Sequence, residues 1–132
     1  MATMTDPTGH RVVIADDDLD ILDLVVFKLN QAGFDTVAVT DGVAALAAIN
    51  AEPTKLAILD IMMPGLSGLD VLRHLRANEA TRDLDVILLT ARSRDSDVDV
   101  GYSVGANDYV IKPFSPRELL HRVNAVLARS DR

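Results

Sequence analysis

Acidic, hydroxyl and amino side chains stand at the ends of several apolar runs in this chain. Asp16 and Asp17 come directly after one run, and Asp60 ends another. Thr90 and Lys112 stand at the ends of two later runs. Neighbouring carboxylates suit a hard divalent cation such as Mg²⁺. A carboxylate can also act as a nucleophile and form an acyl phosphate, with a metal ion and a lysine neutralising the phosphoryl oxygens. These residue types therefore predict phosphoryl transfer to a carboxylate.

The apolar runs themselves are predicted to be strands covered on both faces, because most are continuously apolar rather than alternating. They are Arg11–Ala15, Asp35–Val39, Lys55–Asp60, Asp85–Thr90 and Asp108–Ile111. Segments with apolar residues at three- and four-residue spacing lie between them and predict helices. Alternating strands and helices give an α/β fold with a parallel sheet. The reactive site of such a sheet lies beyond the carboxyl ends of its strands, where the polar residues stand.

Residues that begin and end helices mark the segments between the strands. Ser67 stands where an N-cap belongs, and Ser115 opens a capping box with proline at the first helical position. Gly33 and Gly105 stand where helices should end. The predicted helix Asp95–Val104 is poor in strong helix formers and contains a glycine. We expect it to be the least stable element of the fold.

Length and composition limit the class of protein. A chain of 132 residues predicts one domain, and the lack of cysteine excludes a disulfide framework and thiolate metal sites. The polar start and the short apolar stretches predict a cytoplasmic protein without membrane contact. The net charge of −7 argues against direct binding of nucleic acid. We expect a flexible N-terminal segment over residues 1–8, one domain over residues 9–129 and a C-terminal tail over residues 130–132.

Four motifs together resemble the response-regulator receiver domains of two-component signalling. They are VIADDD at 13–18, LDIMMPG at 59–65, LTA at 89–91 and GANDYVIKPF at 105–114. Their order and spacing match the family over nearly the whole chain, whereas any one of them alone would be a weak signal. The resemblance implies a chemotaxis-regulator-like fold, which is a doubly wound, five-stranded parallel sheet in the flavodoxin-like order 2-1-3-4-5 with helices on both faces.

The resemblance also implies what the site residues do. Asp60 would be the phosphoacceptor, taking a phosphoryl group from a histidine kinase or a phosphotransfer protein. Mg²⁺, with Mn²⁺ as the alternative ion, would be held by Asp16, Asp17, Asp60 and the backbone carbonyl of Met62. The domain would then be a signalling phosphoprotein and not an enzyme, since it would catalyse only its own phosphorylation and dephosphorylation.

Further positions of the family's pattern concern the response to phosphorylation. Lys112 would pair with the acceptor carboxylate and then with the phosphoryl group. Thr90 and Tyr109 match the family's switch pair, in which the hydroxyl moves toward the phosphoryl group and the aromatic ring turns inward. Pro113 matches a proline that follows a cis peptide bond in the family.

The output surface is expected on the fourth helix, fifth strand and fifth helix. Asp108, Glu118 and Arg122 match charges that hold symmetric dimers of receivers attached to winged-helix domains. Two departures weaken that dimer, because Val98 stands at the position of a basic partner and Asn107 at that of a common acid. The output partner is therefore either a downstream protein or a second copy of the chain.

Three alternatives stay open at this point. Because the chain ends at Arg132, soon after the last predicted helix, it is either a stand-alone receiver or the N-terminal domain of a transcription regulator, and we favour the first. An aspartyl-phosphate-forming hydrolase on a similar fold is disfavoured, since such enzymes use a second Asp where Met62 stands. A receiver that no longer accepts phosphate is disfavoured by the intact acids, Thr90 and Lys112.

Overall fold

Continuous apolar strands form the centre of the molecule. The structure, a computed structural model, describes residues 9–91 and 95–130, and for residues 95–98 it describes the backbone alone. The five strands are β1 (Arg11–Ala15), β2 (Asp35–Val39), β3 (Leu56–Asp60), β4 (Asp85–Ala91) and β5 (Asp108–Lys112). They form one parallel sheet in the order β2-β1-β3-β4-β5, which confirms the predicted topology.

Helices follow each strand and cover both faces of the sheet. They are α1 (Leu19–Gln31), α2 (Gly42–Ala51), α3 (Gly68–Ala77), α4 (Asp95–Val104) and α5 (Pro116–Ser130). One core cluster joins α1 and α5 to one face of the sheet, and a second joins α2 and α3 to the other. Burial of apolar side chains on both faces explains why the strands are apolar along their whole length.

The strand limits differ from the prediction by one residue at three places. The third strand begins at Leu56 rather than Lys55, and the last two strands extend to Ala91 and Lys112. These two residues are register partners, so the pairing of β4 with β5 continues past the apolar residues that define the strands in the sequence. Pairing with a neighbouring strand, rather than apolar character, therefore sets the carboxyl edge of the sheet.

The predicted helix signals are confirmed by local geometry. Ser67 caps α3 in a capping box with Asp70, and the Ser115 hydroxyl accepts a hydrogen bond of 3.0 Å from the Glu118 amide at the start of α5. Gly33 and Gly105 have positive φ angles of 98° and 115° after α1 and α4. Each cap fixes where a helix begins or ends relative to the carboxyl edge of the sheet.

The two ends of the chain lie largely outside the described residues. The predicted segment 1–8 and residues 131–132 of the predicted tail are not among them, so these limits stay predictions. Helix α5 includes Ser130, one residue beyond the predicted domain limit at 129. The Ser130 hydroxyl donates a hydrogen bond of 2.7 Å to Asp85 Oδ1, which anchors this last turn to the start of β4.

Candidate phosphoacceptor site

The carboxyl ends of β1, β3 and β5 bring three charged groups into contact. The Lys112 ammonium lies 2.9 Å from Asp16 Oδ2 and 3.2 Å from Asp60 Oδ2. Both carboxylates are buried, and the lysine is mostly shielded from solvent. The lysine at the end of β5 thus bridges two acids that come from the neighbouring strands β1 and β3.

Asp17 completes an acidic cluster at the same edge. Carboxylate oxygens of Asp16, Asp17 and Asp60 all lie within 4.8 Å of one another, and Asp17 is exposed where the other two are buried. Three carboxylates with one ammonium leave an excess of negative charge in a small volume. An all-oxygen donor set of this charge, open to solvent on one side, fits Mg²⁺, which keeps several of its waters when bound.

Backbone amides hold the buried carboxylates in place. Asp16 Oδ1 accepts a hydrogen bond of 2.9 Å from the Asp18 amide, and Asp60 Oδ1 accepts one of 3.3 Å from the Met62 amide. Asp18 itself caps α1, since its carboxylate accepts from the amides of Asp20 and Ile21. The acids at the end of β1 therefore divide into two that face the site and one that begins the helix.

Thr90 and Tyr109, the predicted switch pair, make their present contacts away from the ion pair. The Thr90 side chain is buried, and its hydroxyl donates to its neighbour's carbonyl, Ala91 O, at 3.3 Å. Tyr109 packs against the core cluster of α2 and α3 and contacts the Tyr102 ring. Among the described residues, neither side chain forms a hydrogen bond with Asp16, Asp17 or Asp60. The Lys112–Pro113 peptide bond is cis.

The residues of the expected output face surround a shallow cavity of about 200 Å³. Asp108, Glu118 and Arg122 line it together with Tyr102 and Tyr109. Arg122 Nη1 lies 3.3 Å from Asp108 Oδ2 within the same chain, which pairs an exposed arginine with a buried aspartate. The use of these charges between two copies of the chain stays a prediction, and the side chain of Val98 lies outside the described residues.

Sequence reasoning missed two residues that shape the site. Gly68 begins α3 directly against the backbone of Asp60, a contact that only the fold reveals. Tyr102 carries no motif or periodicity that would single it out. It is one of only two tyrosines in the chain, which is the only signal the sequence offers.

Burial raises the pKa of the Asp60 carboxyl to about 6, and the charge of Asp16 adds to that effect. Lys112 and the Met62 amide oppose the rise without cancelling it. Burial alone would lower the pKa of Lys112, but Asp16 and Asp60 raise it above its usual value. The lysine is therefore protonated near neutral pH. Above pH 6 the Asp60 carboxylate is ionised although its burial disfavours the charge.

We expect Asp60→Asn to stabilise the metal-free protein at pH 8. A carboxyl whose folded-state pKa is raised from 3.8 to about 6 stabilises the fold fully below pH 4, and that contribution is lost as the pH rises through 6. Asparagine removes the resulting cost of about 1–2 kcal/mol at pH 8, allowing for solvent screening at the open edge. Urea denaturation in the presence of EDTA measures this difference at pH 8 and pH 4.

The control for this prediction is Asp23→Asn, which changes an exposed carboxylate on α1 and should alter stability little at either pH. The gain from Asp60→Asn should shrink below pH 6 and vanish near pH 4. Equal stability of Asp60→Asn and the wild type at pH 8 would contradict the conclusion that burial disfavours the ionised Asp60 carboxylate.

Fold and site together are those of a chemotaxis-regulator-like receiver, with clustered acids and a lysine at the carboxyl edge of a 2-1-3-4-5 sheet. Residues 12–124 match the response regulator receiver domain, and the chain belongs to this family of signalling domains. Among the described residues, no helix is both long and apolar enough to cross a bilayer.

Known proteins similar to this chain include two regulators from Mycobacterium tuberculosis. The DNA-binding response regulator MtrA is 40% identical over 126 residues, which are 96% of this chain and 54% of MtrA. The sensory transduction protein RegX3 is 44% identical over 118 residues, 89% of this chain and 51% of RegX3. The chain thus spans about half the length of these relatives. The chemotaxis response regulator CheY4 of Vibrio cholerae has a similar structure, with a TM-score of 0.85 and 28% identity over 90% of this chain and 99% of CheY4.

Proposed function

We propose that Asp60 accepts a phosphoryl group from a phosphohistidine of a histidine kinase or a phosphotransfer protein. The observation that carries this proposal is the contact of a buried acceptor carboxylate with Lys112 inside a cluster of three acids. An ammonium and a cation site on either side of one carboxylate supply the charge neutralisation that phosphoryl transfer needs. A purely structural ion pair would not require the additional exposed acid, Asp17.

In the proposed reaction, one Asp60 carboxylate oxygen attacks the phosphorus of phosphohistidine. The new O–P bond forms as the N–P bond breaks, and the electron pair of that bond returns to the imidazole nitrogen of the donor. The products are an acyl phosphate on Asp60 and a free histidine. No oxidant, reductant or further reactant is needed.

Each neighbouring residue has a separate part in the proposed reaction. Asp16, Asp17 and Asp60, with the backbone carbonyl of Met62, would hold Mg²⁺, and the bound ion supplies positive charge to the phosphoryl oxygens. The Lys112 ammonium, already 3.2 Å from the acceptor, would move its contact from the Asp60 carboxylate to a phosphoryl oxygen. Asp16 keeps the lysine in place during this exchange, because its 2.9 Å contact does not involve the acceptor.

The proposed response runs through Thr90. Its hydroxyl now donates to Ala91 O, and a phosphoryl group on Asp60 would offer a charged acceptor for a stronger hydrogen bond. Turning the hydroxyl toward that group would alter the packing of the face formed by α4, β5 and α5, which we propose as the signalling surface. The partner that reads it is either another protein or a second copy of the chain. The net charge of −7 supports a role without direct contact to nucleic acid.

Intact-mass spectrometry after incubation with acetyl phosphate and Mg²⁺ tests the proposed acceptor. The wild type should gain the mass of one phosphoryl group, the gain should need Mg²⁺, and Asp60→Asn should show none. Asp85→Asn is a matched control, since this buried aspartate lies at the opposite edge of the sheet. A gain of equal size in Asp60→Asn would move the acceptor to another residue and overturn the assignment.

A further inference from the structure

The two tyrosines of the chain contact each other across the α4–β5 interface. The ring centroids of Tyr102 on α4 and Tyr109 on β5 lie 5.0 Å apart, and the ring planes are inclined at 72°. This edge-to-face arrangement is a favourable one for aromatic pairs. The contact joins a helix that is poor in helix formers to a strand whose carboxyl end carries Lys112.

A close approach of α4 to the sheet makes this contact available. Gly101, directly before Tyr102, is buried, and a Cβ atom there would lie only 2.6 Å from Leu88 Cδ1. The glycine therefore lets the helix backbone pack against β4, which brings the next side chain over β5. The internal glycine that weakens α4 as a helix has this packing role.

Tyr109 lies next to Thr90 on the same face of the sheet. Leu88 is the register partner of Tyr109, and Thr90 lies two residues further along β4. Residues two apart on a strand project to the same side, so Thr90 and Tyr109 are diagonal neighbours. Rotating the Thr90 side chain away from Ala91 moves both its hydroxyl and its methyl group to new positions, and this changes the space beside the Tyr109 ring.

Room for a movement of the Tyr109 ring exists on the outer side of the pair. The cavity of about 200 Å³ that both tyrosines line is bounded also by Ile111 and Arg122. Tyr102 is 48% exposed, and its ring contacts Tyr109 on the side that faces the sheet. Burial, and after it the charge of Asp108, raise the pKa of Tyr102, so its hydroxyl stays protonated at physiological pH.

We propose that Tyr102 is a positioning residue of the switch, holding the Tyr109 ring in the resting arrangement in which Thr90 donates to Ala91. The inference rests on the proposed phosphorylation of Asp60. Rearrangement of Thr90 and Tyr109 must then break the aromatic contact. Tyr102 therefore raises the free energy of the switched arrangement and lowers the affinity of Asp60 for a phosphoryl group or its mimic. Loss of the Tyr102 ring makes the switched arrangement easier to reach.

Binding of beryllofluoride, a phosphoryl mimic, in the presence of Mg²⁺ tests this role. Calorimetric titration should show about two- to tenfold tighter binding for Tyr102→Ala than for the wild type, the equilibrium shift that an aromatic contact of this kind produces. Tyr102→Phe keeps the ring and should bind within about twofold of the wild type. Val100→Ala, a change at another exposed residue of α4, is the matched control and should leave the affinity unchanged.

A second readout separates positioning from general stability. Because the chain has two tyrosines and no tryptophan, its near-ultraviolet circular dichroism reports mainly on this pair. In Tyr102→Phe that signal comes from Tyr109 alone and should change on addition of beryllofluoride and Mg²⁺. In a Thr90→Ala background, Tyr102→Ala should no longer alter the affinity, since the path from Asp60 to Tyr109 is removed.

Equal or weaker binding by a folded Tyr102→Ala variant, with its thermal midpoint measured in parallel, overturns the role of Tyr102 and leaves the proposed function intact. An effect of Tyr102→Ala that persists without the Thr90 hydroxyl also overturns it. Absence of beryllofluoride binding by the wild type, together with no phosphoryl gain from acetyl phosphate, overturns the proposed function and this inference with it.

Discussion

Lys112→Met is expected to lower the free energy of unfolding by about 2–4 kcal/mol at pH 8 without Mg²⁺. The ammonium is the cation that both Asp16 and Asp60 contact, at 2.9 and 3.2 Å. Removing it leaves two buried carboxylates facing each other, and breaking a buried ion pair from one side is costly because the remaining charge is uncompensated. The partial exposure of Lys112 places the expected cost at the lower end for such pairs. Urea denaturation in EDTA measures it.

Two conditions should restore the lost stability of Lys112→Met. Saturating Mg²⁺ supplies positive charge to the same carboxylates, so the ion should stabilise the variant more than the wild type. Lowering the pH below 6 protonates Asp60, whose pKa is already raised to about 6 with the lysine present, and should shrink the deficit as well. Lys28→Met, a change near the carboxyl end of α1, is the control and should cost less than about 1 kcal/mol. A deficit that is the same with Mg²⁺ and at pH 5 would mean that Lys112 contributes packing rather than charge.

The charged site could be predicted from the sequence because its members sit at strand ends. Apolar runs that are continuous rather than alternating identify buried parallel strands, and the residue after each run falls at one common edge. Asp16, Asp60 and Lys112 follow three such runs, and the structure brings them into contact. Apolar runs did not predict where the last two strands end, because pairing of Ala91 with Lys112 extends the sheet by one residue past them.

Contacts between elements could not be predicted in the same way. The Tyr102–Tyr109 contact depends on how closely α4 approaches β4 at Gly101, and the only effect that the sequence predicts for this glycine is a weaker helix. The hydrogen bonds of Arg76 to Gly105 O and Asn107 Oδ1 join α3 to the loop before β5, and they depend likewise on packing. Asn107 also accepts from the Val86 amide at 2.8 Å, so the residue that departs from the family's acid has a structural use within the chain. The spacing of apolar residues along the sequence shows which face of a helix or strand is buried, but it does not show how closely two such elements approach each other.

Gly68→Ala should reduce stability by about 2–3 kcal/mol, although glycine at the start of a helix is usually replaced by alanine at little cost. A Cβ atom at this position would overlap the Asp60 carbonyl oxygen and would lie 2.9 Å from the Asp60 carbonyl carbon and 3.1 Å from Ile61 Cα. All three are backbone atoms of Asp60 and Ile61, so no side-chain rotation relieves the overlap. Either α3 or the end of β3 must move, at the cost usual for an overpacked interior.

The same displacement should slow phosphorylation of Gly68→Ala by acetyl phosphate by at least about tenfold, because a misplacement of about 1 Å at a reacting group can cost about a hundredfold in rate. Gly101→Ala is the matched control, since its new Cβ would meet the flexible tip of Leu88, which can rotate away, and alanine favours the helix. Its unfolding free energy should lie within about 1 kcal/mol of the wild type. Urea denaturation and a phosphorylation time course followed by intact mass measure both effects. If Gly68→Ala were as stable and as reactive as Gly101→Ala, the backbone of Asp60 would have to be free to shift, and α3 would not hold it in place.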